Sequence, residues 1–165
     1  MVTGLAVDAS SQSRTGTAGG VTWSVPKTWS DLPGSSMRVA TYKVPPAKAA
    51  EPGEVSVFFF GPGQGGSIDA NIERWSGQFE GTPKPTRSLK KVNGLSLTLV
   101  QIAGTYLAPG GPMMQSQGKK PDYRLLAAIV EAPGGLIFFK LTGPAATVGA
   151  AQADFDGLLA SLAKG

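Results

Sequence analysis

The chain has 165 residues, a net charge of +4 and 41% hydrophobic residues, enough to bury roughly two-thirds of its unfolded surface without a covalent staple. It has no His and no Cys, which excludes Ser-His-Asp and Cys-His catalysis, disulfides and Cys/His zinc sites. Gly (23) and Pro (13) are frequent, so the fold must contain many turns.

Met1 to Val7 lacks the basic start of a signal peptide, and its apolar run is too short for one. Asp8 to Gly20 is Ser-, Thr- and Gly-rich, so residues 1–20 read as a flexible linker and 21–165 as a single domain. Such a tether is what remains when an export signal or lipid anchor has been removed. A periplasmic or extracellular location is therefore expected, with a cytoplasmic one as the alternative.

Val21 to Val25 alternates and is rich in β-formers, so it is a strand, and Pro26-Lys-Thr-Trp29 is a turn that folds Trp29 back onto the core. Met37 to Val44 alternates again, with Arg38, Ala40, Tyr42 and Val44 on one face. Glu54 to Phe60 is apolar on both faces near its end, as in a central strand covered from both sides. After a Gly-rich break, Ser67 is a natural N-cap and Asp69 suits the first turn. Ile68, Ile72, Trp75 and Phe79 then form one apolar stripe on a helix over 67–80. Thr86–Val92 and Leu95–Tyr106 flank Asn93-Gly94, the strongest short hairpin signal. Residues 107–122 read as a long loop. Tyr123–Glu131 and Leu136–Thr142 form a second hairpin. Val148, Ala151, Phe155, Leu158 and Leu162 define an amphipathic helix over 144–162. The order is α+β: a mainly antiparallel sheet of about six or seven strands flanked by two amphipathic helices.

Five sets of residues carry possible chemistry. Gly61-x-Gly63-x-x-Gly66 lies between a strand and a helix, as a dinucleotide fingerprint does. The following segment is Pro- and Lys-rich and leads into a hairpin, so no βαβ unit forms. What is left is a plain glycine turn that lets the helix pack tightly, with a weak anion seat at Gly63, Gly65, Gly66 and Ser67 as the functional alternative. Ser88-Leu-Lys-Lys91 matches S-x-x-K without its companion motifs, and Asp69 with Glu73 fits dipole compensation, so no catalytic residue, metal ligand or cofactor is expected. Lys84, Arg87, Lys90 and Lys91 form a basic run with no aromatic interleaving, which reads as a solvated strand face with no nucleic-acid partner. Met113, Met114, Lys119, Lys120 and Tyr123 offer apolar contact beside two positive charges, the expected surface for an unidentified protein partner.

The chain resembles the Mog1/PsbP-like α/β/α sandwich, and more closely a bacterial family of uncharacterised exported or lipoprotein-like proteins. The residues that carry the likeness are Trp23-Ser-Val-Pro26-Lys-Thr-Trp29, Phe58-Phe-Phe-Gly61-Pro-Gly63-Gln-Gly65-Gly66, Asn71-Ile-Glu-Arg74-Trp75-Ser-Gly-Gln78-Phe79, Gly104-Thr-Tyr106 and Phe138-Phe-Lys140-Leu-Thr-Gly143-Pro144. The resemblance covers about residues 21–162 and brings no catalytic residues. Members of the broader group are mostly binding or assembly proteins, such as an oxygen-evolving-complex subunit and a Ran-binding factor. It implies a non-catalytic exported binding or protein-interaction module; the alternatives are a small-ligand or anion carrier, and a hydrolase working without His or Cys. A pocket with convergent polar groups and shifted pKa values would favour chemistry on a small molecule; a shallow apolar surface would favour the interaction module.

Overall fold

The computed structural model describes residues 14–33, 38–47, 50–107 and 118–165. The described residues form two sheets. Seven strands form the larger one: β3 (Ser30–Asp31), β4 (Arg38–Val44), β5 (Gly53–Phe59), β9 (Gly135–Pro144), β8 (Lys119–Ala132), β7 (Leu95–Leu107) and β6 (Thr86–Val92), in that spatial order. Every pairing is antiparallel. The smaller sheet sets β1 (Arg14–Ala18) and β10 (Ala163–Lys164) on either side of β2 (Val21–Val25). Helices α1 (Ile68–Ser76) and α2 (Ala145–Ala160) complete the α+β architecture.

Alternation along the strands assigns the two faces of the large sheet. Leu126, Ala128 and Val130 of β8, with Ile137, Phe139 and Leu141 of β9, pack in one apolar cluster with Val148, Phe155 and Leu158 of α2 and with Trp23 and Trp29. Leu125, Ala127 and Ile129, with Phe138, pack in a second cluster with Ile72 and Trp75 of α1. β8 and β9 are thus apolar on both faces because a layer lies on each. The first face is covered widely, by α2 and the small sheet. α1 packs chiefly on β7, β8 and β9; it touches β6 through the Asp69–Arg87 ion pair and β5 only at Phe58, so β4 and the rest of β5 lie beyond it. That uneven cover creates the site.

Several sequence expectations change. Residues 14–18 are not linker: β1 pairs with β2 in full register, and Arg14 donates to the carbonyls of Pro26 and Trp29 and pairs with Asp31 at 2.9 Å. Gly16 opposes Trp23 because no side chain fits there; a Cβ would lie 2.3 Å from the indole. The 107–122 loop is shorter, since Leu107 and Lys119 pair across β7 and β8. Met113 and Met114 lie outside the described residues. Helix α1 ends at Ser76 rather than near residue 80, leaving Phe79 to make a β-bridge with Tyr106. α2 buries Val148, Ala151, Phe155 and Leu158 as expected, but its outer face is mostly Ala and Gly, with Asp154 and Asp156 its only exposed charges. No helix among the described residues is long and apolar enough to cross a membrane.

Candidate functional site

Two register shifts build the site. Between Arg38 and Ala40, β4 advances two residues while β5 advances one, so Val39 is an extra residue. Regular alternation would put Arg38 on the face of Ala40, as the sequence reading expected. The bulge turns it to the opposite face, where its guanidinium lies 5.6 Å from the Phe58 ring centroid. The second shift lies between Gly104 and Tyr106, where β8 carries the extra residue and Asp122 adopts a φ of 55°. It brings Tyr106 and Tyr123 into a parallel stack, centroids 5.5 Å apart.

Beside these residues, β5 contributes Glu54, Ser56 and Phe58, and β9 contributes Lys140 and Thr142. Together they line a groove of about 550 Å³ on the half of the sheet that α1 leaves open. A second cavity of about 170 Å³ adjoins it between β9 and α1, lined by Phe60, Arg74, Trp75 and Gln78. Lys140 lines both. Across the strands it is opposite Ser56 and Ala127, two small residues that leave room around its ammonium.

The electrostatics are unbalanced. Arg38 pairs with Glu54 at 2.9 Å, and the Ser56 hydroxyl donates to the same carboxylate at 3.1 Å. Arg74 donates to the neutral Asn71 amide oxygen at 2.7 Å. Lys140 donates to the neutral Gln78 Oε1 at 2.9 Å, with its Nζ 5.8 Å from the Trp75 ring centroid. Among the described residues no carboxylate forms a salt bridge with Lys140. Burial first, then the charges of Arg38 and Arg74, lower its pKa from 10.5 to about 8, while Glu54 pulls the other way. Burial raises the Tyr106 hydroxyl, and burial followed by Glu51 raises that of Tyr123.

The expected partner and anion residues fare differently. Tyr123 is in the groove, and its hydroxyl donates to Glu51 at 2.7 Å. Lys119 pairs with Glu80 and Lys120 with Glu51, so the two positive charges of the expected partner surface are both engaged. Tyr123 and Lys120 together hold the Glu51 carboxyl below its usual range. At the Gly-rich turn, the Ser67 hydroxyl accepts from the Ala70 N–H at 3.0 Å and the Asn71 amide donates to the Gly65 and Ser67 carbonyls, each at 2.8 Å. Gly63, Gly65 and Gly66 have φ of 71°, 92° and 84°, so their role in the structure is conformational. Arg87, Lys90 and Lys91 of the basic run are exposed on β6, with Arg87 paired to Asp69, and Lys84 precedes the strand. Among the described residues no group of three or more carboxylates could hold a metal ion.

Sequence reasoning missed Arg38, Glu54 and Lys140 as a set. One signal was available: Lys140 is a charge at an inward position of the otherwise apolar run Leu136–Leu141.

No family model matches the sequence, and no curated protein matches it. Two solved structures share part of its shape. A protein from Bacteroides thetaiotaomicron VPI-5482 superposes with a TM-score of 0.43 at 14% identity, over 87% of this chain and 44% of its own. The chain therefore spans less than half the length of that protein. A protein of unknown function, PA94, from Pseudomonas aeruginosa gives 0.44 at 14% identity, over 91% of this chain and 95% of its own. These likenesses carry no functional argument.

Proposed function

We propose that this protein is a non-catalytic binding module whose ligand site is the groove over β4, β5 and β9, and that its ligand is a small organic anion with an apolar body. The observation that carries this reading is Lys140, a half-buried ammonium with only a neutral hydrogen-bond partner, set between Arg38 and Arg74. Glu54, the carboxylate that acts on Lys140, is already engaged by Arg38 and Ser56, so an arriving anion would offset a charge that is costly to bury. Phe58 and the Tyr106–Tyr123 stack offer the apolar wall. The groove's volume is within the range of small-molecule sites.

Binding is favoured over hydrolysis by where the hydrogen bonds go. Ser56 and Lys140 are cross-strand neighbours, the residue types of a Ser–Lys pair. Yet Ser56 donates to Glu54 and Lys140 to Gln78. The resemblance to the Mog1/PsbP-like group, with its preponderance of binding proteins, supports the same choice. The small-ligand reading is placed ahead of the protein-interaction one because Lys119 and Lys120 are paired.

The test uses 1-anilinonaphthalene-8-sulfonate, an aromatic anion whose fluorescence rises in apolar surroundings. It should bind saturably at pH 7, and Lys140→Gln and Phe58→Ala should each weaken it by about tenfold, roughly the 1.4 kcal/mol expected of one lost charge or ring contact. Affinity unaffected by both substitutions would rule the groove out.

A further inference from the structure

The surroundings of Lys140 fit more than a salt bridge to a passing anion. Lys140 lines two cavities, and its Nζ is beside Gln78 and Trp75, which border the smaller one. Ser56 and Ala127 flank it with small side chains, and Trp75, Phe58 and Phe138 border the adjoining cavity as an apolar wall. Cations are near it on both sides, Arg38 from β4 and Arg74 from α1. A lysine that is desolvated and set beside other cations is an activated nucleophile toward carbonyl carbon.

We propose that Lys140 captures a carbonyl-bearing organic anion, an aldehyde or ketone carrying a carboxylate, as an imine within the groove. This rests on the groove being the ligand site and specifies the ligand's reactive group. The neutral Nζ donates its lone pair to the carbonyl carbon, forming the C–N bond as the C=O π pair moves to oxygen. Nitrogen gives up a proton and oxygen takes one, giving a carbinolamine. Loss of water then forms the C=N bond, so amine and carbonyl become imine and water, with no oxidant or reductant. The ligand's carboxylate sits against Arg38 and Arg74 and offsets the charge of the protonated imine. The apolar wall limits water's access to the imine and slows its reversal.

The groups facing Lys140 are Arg38 on β4, Glu54 on β5, Arg74 and Gln78 on α1, and, across the groove, Tyr106 on β7 and Tyr123 on β8. With a pKa of about 8, roughly a quarter of the Lys140 amines are neutral at pH 7.5, against about a thousandth for a lysine at 10.5.

The experiment treats the full chain with one equivalent of 4-carboxybenzaldehyde and sodium cyanoborohydride at pH 7.5, and maps the reduced adduct by peptide mass spectrometry. The adduct should form at Lys140 about tenfold or more faster than at the exposed lysines, and its rate should rise with a midpoint near pH 8. Arg74→Gln, which removes one neighbouring cation, should slow it several-fold at pH 7.5. Binding of 1-anilinonaphthalene-8-sulfonate to the untreated wild-type chain is read in parallel. Label scattered over the exposed lysines while the dye still binds the groove overturns the imine and leaves the binding reading standing. Scattered label together with no groove binding overturns both.

Discussion

Lys140 makes folding depend on alkaline pH in a way that can be worked out group by group. Its pKa is about 8 in the folded chain and 10.5 when unfolded. Well below pH 8 both states hold the proton. Between pH 8 and 10.5 the unfolded chain binds more protons, so stability rises with pH. Burial raises Tyr42, Tyr106 and Tyr123 above their ordinary value of 10.0, so past pH 10 the folded chain keeps protons that the unfolded chain has lost, and stability falls. Calorimetry should therefore find the melting temperature climbing from pH 8 to about pH 10 and dropping beyond. Lys140→Met should melt higher than wild type at pH 7 and show no climb. A wild-type curve that declines steadily from pH 8 would contradict the assignment. At this scale the sequence was only partly informative. Lys140 stands out as a charge in an apolar strand, but its nearest charged neighbours are residues 38, 54 and 74, which only the sheet order and the seating of α1 bring close.

Elements were legible wherever a period or a turn residue dictates them. Ile68, Ile72 and Trp75 share a face because residues three and four apart do so on any helix, and Ser67 caps it as its side chain allows. Ser67→Ala should cost about 1 kcal/mol in a urea titration, with the slope unchanged. Asn93-Gly94 turns the first hairpin with φ of 49° and 83°, the sign that pair tolerates best. Parity fails where a strand carries one residue too many. Arg38 was misassigned because Val39 bulges, and nothing local in Met37–Val44 marks that. Deleting Val39 should restore alternation with Arg38 still opposite Phe58, leaving dye binding within about twofold of wild type; a regular strand in the native chain would instead see Arg38 flipped and binding lost. β1 was misread for a different reason. Ser, Thr and Gly look like linker, yet small residues are what Trp23 admits against its ring. A chain beginning at Val21 should melt about 5–10 °C below one beginning at Arg14, because it uncovers Trp23 and loses the ladder to β2. Equal melting temperatures would return residues 14–18 to the linker.

For the whole molecule, the decisive feature is a mismatch between a seven-stranded sheet and the short helix on one of its faces. α2 and the small sheet cover one side from Val55 to Leu97. On the other side α1 has nine residues and seats chiefly on β7 to β9, so β4 and β5 line the groove beside Lys140 with the partly exposed Arg38, Glu54 and Phe58 and the buried Ser56. Both helices and seven of the ten described strands could be read from periodicity; β1 and the two-residue strands β3 and β10 could not. The offset of α1 across the sheet could not, because it depends on which strands end up adjacent. β4 and β5 being at one end of the order, away from the helix, is a property of topology. The most direct measurement is a two-dimensional amide NMR titration of the assigned chain with 1-naphthoate, an aromatic carboxylate without a reactive carbonyl. Saturable shifts should concentrate on Arg38, Glu54, Ser56, Phe58, Lys140 and Thr142. Shifts confined to Gly63–Ser67 or to the exposed strand Thr86–Lys91, or no saturable shift at all, would contradict the account.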